Sequence, residues 1–141
     1  MRLQGRTADM KAVYDKARLV LAPSLWQEAW GRVATEAQFC GLPVIGSSRG
    51  GLPEAIGPGG LIVDADAPLS AWVAAVRRLW DDPAEYERLA IEAIAHAGRP
   101  EIKGRQQLCA FLDVLRVTVS RGMSRVGERT AQLLAMALPL V

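Results

Sequence analysis

Two glutamates, Glu28 and Glu36, stand with seven residues between them in the stretch PSLWQEAWGRVATEAQFCGLPVIGSS, Pro23 to Ser48. An ionised carboxylate is purely an acceptor, and its two oxygens can take hydrogen bonds from two neighbouring hydroxyls at once, which suits it to clamp a diol. Between the pair lies Gly31, at the start of a stretch of helical character. The first backbone N–H groups of a helix lack upstream partners and carry partial positive charge, so they favour an anion such as a phosphate. Gly31 lets that anion come close to the backbone. A carboxylate on each side of such a helix start matches a molecule with a central diphosphate and a sugar at each end, a nucleotide-sugar. In the blander reading Glu28 is an N-terminal charge and Glu36 a solvated helix residue, and spacing by itself does not separate the two.

Holding such a site calls for a strand before Glu28 and a helix after Gly31. RLVLAPS supplies the strand, a short apolar run over Arg18 to Ala22 ended by a proline. The spacing from Gly31 to Cys40 predicts helix, and Gly41 with Pro43 forms its stop signal. Upstream, Met10, Val13, Tyr14 and Ala17 recur on one side of TADMKAVYDKA, which predicts an amphipathic helix over Thr7 to Ala17 with Thr7 as its cap. Downstream, PVIGS and LIVD read as two more buried strands, separated by a glycine-rich loop from Ser48 to Gly60 with room for one helical turn near Glu54. Helical patterns then cover Leu69 to Trp80 and Glu85 to Ala97, with Asp82 capping the second and Pro83 opening it. Another runs from Lys103 to Val117, and GERTAQLLAMAL in the tail reads as one more amphipathic helix. Strands alternating with helices argue for an α/β, Rossmann-like parallel sheet with helices on both faces. Three to four strands are expected, the fourth being a stub at Arg2 to Gln4. The loops after the strands, Ser24 to Trp30 among them, then gather at the C-terminal ends where ligands bind.

Half of the 141 residues are apolar and 23% are charged, the composition of an ordinary globular domain. Seventeen Lys and Arg against fifteen Asp and Glu leave a net charge of +2, and the arginines are scattered, which argues against nucleic acid as a partner. Cys40 and Cys109 lie far apart with no close Cys or His, so no disulfide framework or zinc site is expected and both thiols are expected to stay reduced, as in the cytosol. The N-terminus has no apolar h-region, and the longest apolar run, LLAMALPLV, is about half of what spans a bilayer. No GK[ST] signals a P-loop. GSSRG, Gly46 to Gly50, fits the nucleophile elbow G-x-S-x-G, and Ser48, Asp64 or Asp66, and His96 follow in the matching chain order. An elbow needs a helix directly after its serine, however, and here Gly50, Gly51 and Pro53 intervene. His96, at the frayed end of a helical pattern, is explained as a surface residue.

The surroundings of the glutamate pair carry a family likeness. Y..ARLVLAPSLWQEAWGRVATEAQFCGLPVIGSSRGGLPEAI resembles the C-terminal domain of retaining GT-B glycosyltransferases, especially glycosyltransferase family 4, also called glycosyl transferases group 1. The APS strand end, Glu28 and Glu36, the intervening GR, the EA that follows, GLPVI and GGLPE carry the likeness, which covers roughly residues 5 to 115.

By that resemblance the chain is the donor-binding part of a hexosyltransferase that moves a sugar, with retention, from a UDP- or GDP-linked donor to a glycan or lipid-linked acceptor, as in polysaccharide biosynthesis, with no metal or other cofactor. Glu28 takes the catalytic position, binding hydroxyls of the donor sugar. The backbone of Ala29, Trp30 and Gly31 faces the sugar and diphosphate, the amides of Gly31, Arg32 and Val33 lie near phosphate, and Glu36 holds the ribose hydroxyls. Arg32 stands where the family more often has an aliphatic residue; it adds a cation near the phosphates or points into solvent, with solvent favoured. Trp26 is expected in the core, whereas Trp30 lines the sugar site or fills the core on equal terms. Gly50 and Gly51 are expected to form a close-approach loop at the cleft mouth, and Glu54 to be a helix N-terminal charge or a ligand.

The resemblance also implies a partner. Members of the family use two Rossmann-like domains, with the acceptor held largely by the N-terminal one. This chain is expected to comprise a partial donor domain, 1–117, and a helical tail, 118–141, and to lack both the N-terminal domain and the Arg and Lys that the family sets on the donor diphosphate. Weak donor binding and no activity alone are the expectation, the alternative being a non-catalytic remnant or interaction subunit that docks on a separate N-terminal domain. A cytoplasmic location is expected, with Arg121, Arg125 and Arg129 on the polar side of the tail helix allowing peripheral contact with the inner face of a membrane.

Overall fold

The computed structural model describes Gly5 and residues 7–118. Internal contacts divide the chain into two units, Met1–Arg99 and Pro100–Val141. In the first, strands β1 (Val20–Ala22), β2 (Val44–Ser47) and β3 (Gly60–Val63) form a parallel sheet in the order β1-β2-β3, with Leu21 opposite Ile45 and Ile45 opposite Leu61. Successive strand residues point to opposite faces. Ala22 and Val44 join Tyr14 of α1 (Lys11–Tyr14), Ala34 and Ala37 of α2 (Arg32–Phe39) and Leu52, Ala55 and Ile56 of α3 (Leu52–Ile56) in one core. Ile45 and Val63 turn the other way, toward Leu79 of α4 (Leu69–Asp81) and Leu89 of α5 (Pro83–Ala97). Ile45, Leu52, Ile56, Leu79 and Leu89 are fully buried, each contributing about 1.5–3 kcal/mol. The expected α/β sheet with helices on both faces is present.

Three elements differ in their bounds from the sequence pattern. The helix expected over Thr7 to Ala17 is the single turn α1. Thr7 does not cap it: its Oγ1 accepts the Asp9 amide at 3.1 Å, while the Asp9 carboxylate accepts the Ala12 amide at 3.0 Å. After Tyr14, the Lys16 and Ala17 amides bond back only three residues, to Val13 and Tyr14, which tightens the chain out of α-helix before β1. The strand expected from Arg18 begins at Val20, because Arg18 is held elsewhere. Its carbonyl accepts the Tyr86 hydroxyl at 2.9 Å, and its guanidinium lies 5.2 Å from the Trp80 ring centroid and 4.7 Å from that of Tyr86. LIVD, read as a strand through Asp64, is β3 and ends at Val63.

The α4–α5 corner follows the sequence signal closely. Asp82 accepts the Ala84 and Glu85 amides, both at 3.0 Å, and Pro83 occupies the first helical position. In the second unit a 3₁₀ turn (Pro100–Ile102) precedes helix at residues 104–118, where Lys103 to Val117 was expected. The expected strand stub at Arg2 to Gln4 and the tail helix beyond Arg121 lie outside the described residues. Among the described residues no helix is long and apolar enough to cross a membrane. Replacing the cap by Asp82→Ala is expected to lower unfolding free energy by about 1 kcal/mol, read as a shift in the urea midpoint with an unchanged slope.

Candidate functional site

The parallel sheet brings three strand-to-helix loops to its C-terminal edge, and hydrogen bonds stitch them together. The Ser47 hydroxyl donates to the Ser24 carbonyl at 2.7 Å, and the Gly51 amide donates to the Glu28 carbonyl at 2.7 Å. On the far side the Ser48 amide donates to the Val63 carbonyl at 3.0 Å, and the Ser48 hydroxyl accepts the Ala65 amide at 3.1 Å. Arg49 closes the row with an ion pair to Asp66 at 2.8 Å.

Glycines permit this approach. A Cβ on Gly50 would meet the Glu28 amide nitrogen at 2.5 Å, and one on Gly51 would meet the Ala29 carbonyl at 2.6 Å. Gly50 also has a φ of +56°, in the left-handed region. The expected close-approach loop is therefore real, and what it approaches is the backbone that leads from Glu28 into α2. Gly31 sits immediately before α2 with φ 78° and ψ 56°, and a Cβ there would meet Leu52 Cδ2 at 2.5 Å. Left-handed backbone and the seat against α3 thus already require glycine at this position. No side chain caps α2.

Both glutamates have donors within the chain. Glu28 is half-buried in the loop after β1, and its Oε1 accepts the Ser24 hydroxyl at 2.9 Å. Glu36 lies in the second turn of α2, its side chain 40% exposed; Oε2 accepts the Tyr14 hydroxyl at 3.2 Å and Oε1 accepts Arg32 Nη2 at 3.1 Å. Arg32 is directed into solvent, as favoured, and bonds back along its own helix. Burial, then the Glu36 charge and the hydrogen bond to it, push the Tyr14 phenol above its ordinary value. Ala29 and Val33 are exposed at either side of the α2 start.

The tryptophans divide. Trp26, expected in the core, is 73% exposed, because the loop after β1 turns outward there before folding back on Gly50 and Gly51. Trp30 goes to the core side: it packs against the α1–α2–α3 cluster, donates from Nε1 to Thr35 Oγ1 at 3.0 Å, and carries the Arg99 guanidinium 5.5 Å from its ring centroid. Glu54 is exposed in the first turn of α3. Tyr14 and Ser24, which hold the two carboxylates, lie within the stretch that carries the family likeness but had no role assigned from the sequence. Tyr14 reads there as one more residue of an apolar helix face, and its partner is 22 residues away.

The hydrolase-like set does not assemble. Ser48 serves the Ala65 amide, Asp64 accepts the Asp66 amide, Asp66 pairs with Arg49, and His96 Nε2 lies 3.0 Å from the Glu54 carbonyl. His96 is thus half-buried against the end of α3 instead of free at a frayed terminus. Cys40 and Cys109 are both free and exposed. Among the described residues no group of three His, Cys, Asp or Glu side chains gathers as a metal ion would require.

A three-stranded parallel sheet with helices packed on both faces places the first unit in the Rossmann-like α/β class. Residues 1–82 match the family model of glycosyl transferases group 1, and the chain belongs to that family. It is 42% identical over 92 residues to D-inositol 3-phosphate glycosyltransferase of Corynebacterium glutamicum, a match covering 64% of this chain and 22% of that protein. The Segniliparus rotundus protein of the same name is 40% identical over 94 residues, 65% of this chain and 20% of that one. The chain therefore spans about a fifth of the length of these relatives. Among solved structures, sucrose-phosphate synthase from Thermosynechococcus elongatus superposes with TM-score 0.64 at 28% identity, over 79% of this chain and 28% of that one. HepE from Anabaena in complex with UDP gives TM-score 0.68 at 25% identity, over 77% and 30%. Its UDP-glucose complex gives 0.60 at 29% identity, over 67% and 26%. These neighbours are GT-B glycosyltransferases, in accord with the fold expected from the sequence.

Two outcomes test the site's construction. Gly50→Ala should cost roughly 2–4 kcal/mol, combining left-handed strain with overpacking, whereas Gly98→Ala, at ordinary φ −82° with its nearest neighbour at 3.3 Å, should cost far less; urea unfolding measures both. An unfolded phenol ionises near pH ~10 and the folded Tyr14 later. The stabilisation its proton reflects is therefore intact below that pH and lost as pH rises through the folded value. The stability advantage of wild type over Tyr14→Phe should shrink on going from pH ~9 to ~11.

Proposed function

We propose that this chain is the donor-binding half of a retaining hexosyltransferase, carrying a UDP- or GDP-linked sugar at the C-terminal edge of the sheet. The observation that carries the reading is the carboxylate pair Glu28 and Glu36 about the uncapped start of α2. Glu28 takes donor-sugar hydroxyls and Glu36 the ribose diol. The amides of Ala29, Trp30 and Gly31 face sugar and diphosphate, and those of Gly31, Arg32 and Val33 lie toward phosphate. When the bond from the sugar's anomeric carbon to the diphosphate breaks, the electron pair leaves on phosphate oxygen, and the positive end of α2 helps to hold that charge. That HepE is found in complex with UDP and with UDP-glucose favours uracil over guanine. No metal is assigned a role.

The acceptor is a glycan or lipid-linked hydroxyl, and the relatives named for D-inositol 3-phosphate add a phosphorylated polyol to that class. Acceptor binding falls to an N-terminal Rossmann-like domain, and the leaving group also needs the Arg and Lys that the family sets on the donor diphosphate; a donor half without them binds weakly and does not turn over. The site of action is cytoplasmic, with peripheral contact at a membrane for a lipid-linked acceptor.

A second reading, a non-catalytic subunit docking on a separate N-terminal domain, has one observation in its favour. Among the described residues β1 pairs on one side only, and Leu21, Trp72, Val76 and Trp80 line an apolar groove of about 670 Å³ beside it. An unpaired strand edge next to an apolar groove is a template for another chain. Calorimetric titration with UDP and GDP in the presence of EDTA separates the readings. Binding of UDP that Glu36→Ala weakens to the level of a ligand without the ribose diol is the expected result; no binding by a folded chain would leave the docking role and make the glycosyltransferase ancestry only.

A further inference from the structure

We propose that Tyr14 is a positioning residue for Glu36, its hydroxyl orienting the carboxylate so that the free side faces a vicinal diol. The inference rests on the donor-binding reading and assigns a residue outside the glutamate motif to it. Tyr14 is 5% exposed and belongs to the same core as Ala34 and Ala37, so its ring is fixed against α2 itself. From that fixed ring the hydroxyl donates to Glu36 Oε2 at 3.2 Å. A phenol has one proton to give, and burial together with the Glu36 charge keeps that proton in place, so Tyr14 remains a donor and Glu36 an acceptor.

The geometry leaves room for a ligand. A carboxylate has about four lone-pair sites, and Tyr14 takes one of them. Arg32 takes another from the solvent side, on the i,i+4 spacing of α2, with its side chain 87% exposed. An exposed ion pair of this kind is worth little, so two hydroxyls can displace it. The Tyr14 bond comes instead from the core side and persists beneath the bound diol. A glutamate side chain left free would lose several rotamers on clamping a diol; Tyr14 removes that loss in advance.

The test compares UDP with 2′,3′-dideoxy-UDP, which lacks the ribose diol, by calorimetry on the whole chain. Wild type should prefer UDP, and Glu36→Ala should bring the ratio of affinities near unity. Tyr14→Phe keeps the ring and deletes only the hydroxyl; it should cut the ratio by roughly fivefold or more while leaving affinity for the dideoxy compound unchanged. A loss that falls equally on both ligands would mark a merely structural role and overturn the proposal. So would a ratio that Glu36→Ala collapses and Tyr14→Phe leaves intact, with the donor reading still standing. A wild-type ratio near unity would take the ribose diol away from Glu36 and overturn this inference, while no binding of either compound would remove the donor reading as well. Should Tyr14→Phe fail to fold, the carbon-13 resonance of Tyr14 Cζ, assigned with Tyr86→Phe, should move on adding UDP and not on adding the dideoxy compound. A resonance that UDP leaves in place overturns the proposal.

Discussion

The candidate site hangs on one backbone contact, the Gly51 N–H donating to the Glu28 carbonyl at 2.7 Å. A single neutral hydrogen bond contributes only about 1 kcal/mol net; its consequence is geometric. It draws the loop after β2 against the loop after β1 so closely that neither Gly50 nor Gly51 can carry a side chain. The same approach sets Leu52 against Gly31, which turns the chain through left-handed backbone into α2. The direction of α2, and hence the position of its first amides relative to Glu28, follows from these seats.

Around that frame each of the two glutamates is held by a hydroxyl of the chain. Glu28 leans on Ser24, whose carbonyl in turn accepts the Ser47 hydroxyl, so the glutamate, its loop and β2 form one connected set. Glu36 leans on Tyr14 from the core and Arg32 from solvent. Arg49 and Asp66 tie the next pair of loops. Both faces of the sheet supply this support: small residues Ala34 and Ala37 let α2 lie close on one core, while Ile45, Leu79 and Leu89 fill the other. Packing fixes the elements, and short polar bonds at the strand ends then fix the loops.

Much of this was legible along the chain. The three strands, α2 and the α4–α5 corner announce themselves through apolar runs, Gly41 and Pro43 as a stop, and Asp82 with Pro83 as a start, all signals that act within a few residues. The E-x7-E pair and GGLPE, read as a resemblance, pointed to the loops after β1 and β2, which the structure brings together. Where the reading failed, a distant partner intervened. Arg18 leaves the strand for Tyr86, 68 residues on, and Trp26 leaves the core because its loop must fold back on Gly50. His96 finds the Glu54 carbonyl across 42 residues.

The sequence by itself determined the element types and the parallel α/β arrangement, because periodicity, capping and turn chemistry are local properties of the chain. Only the tertiary structure decided that Gly50 and Gly51 serve the Glu28–Trp30 backbone, that Trp30 belongs to the core, and that Tyr14 and Ser24 hold the glutamates. Those outcomes depend on which segments the sheet brings side by side, and a contact between residues far apart in the chain leaves no spacing to read.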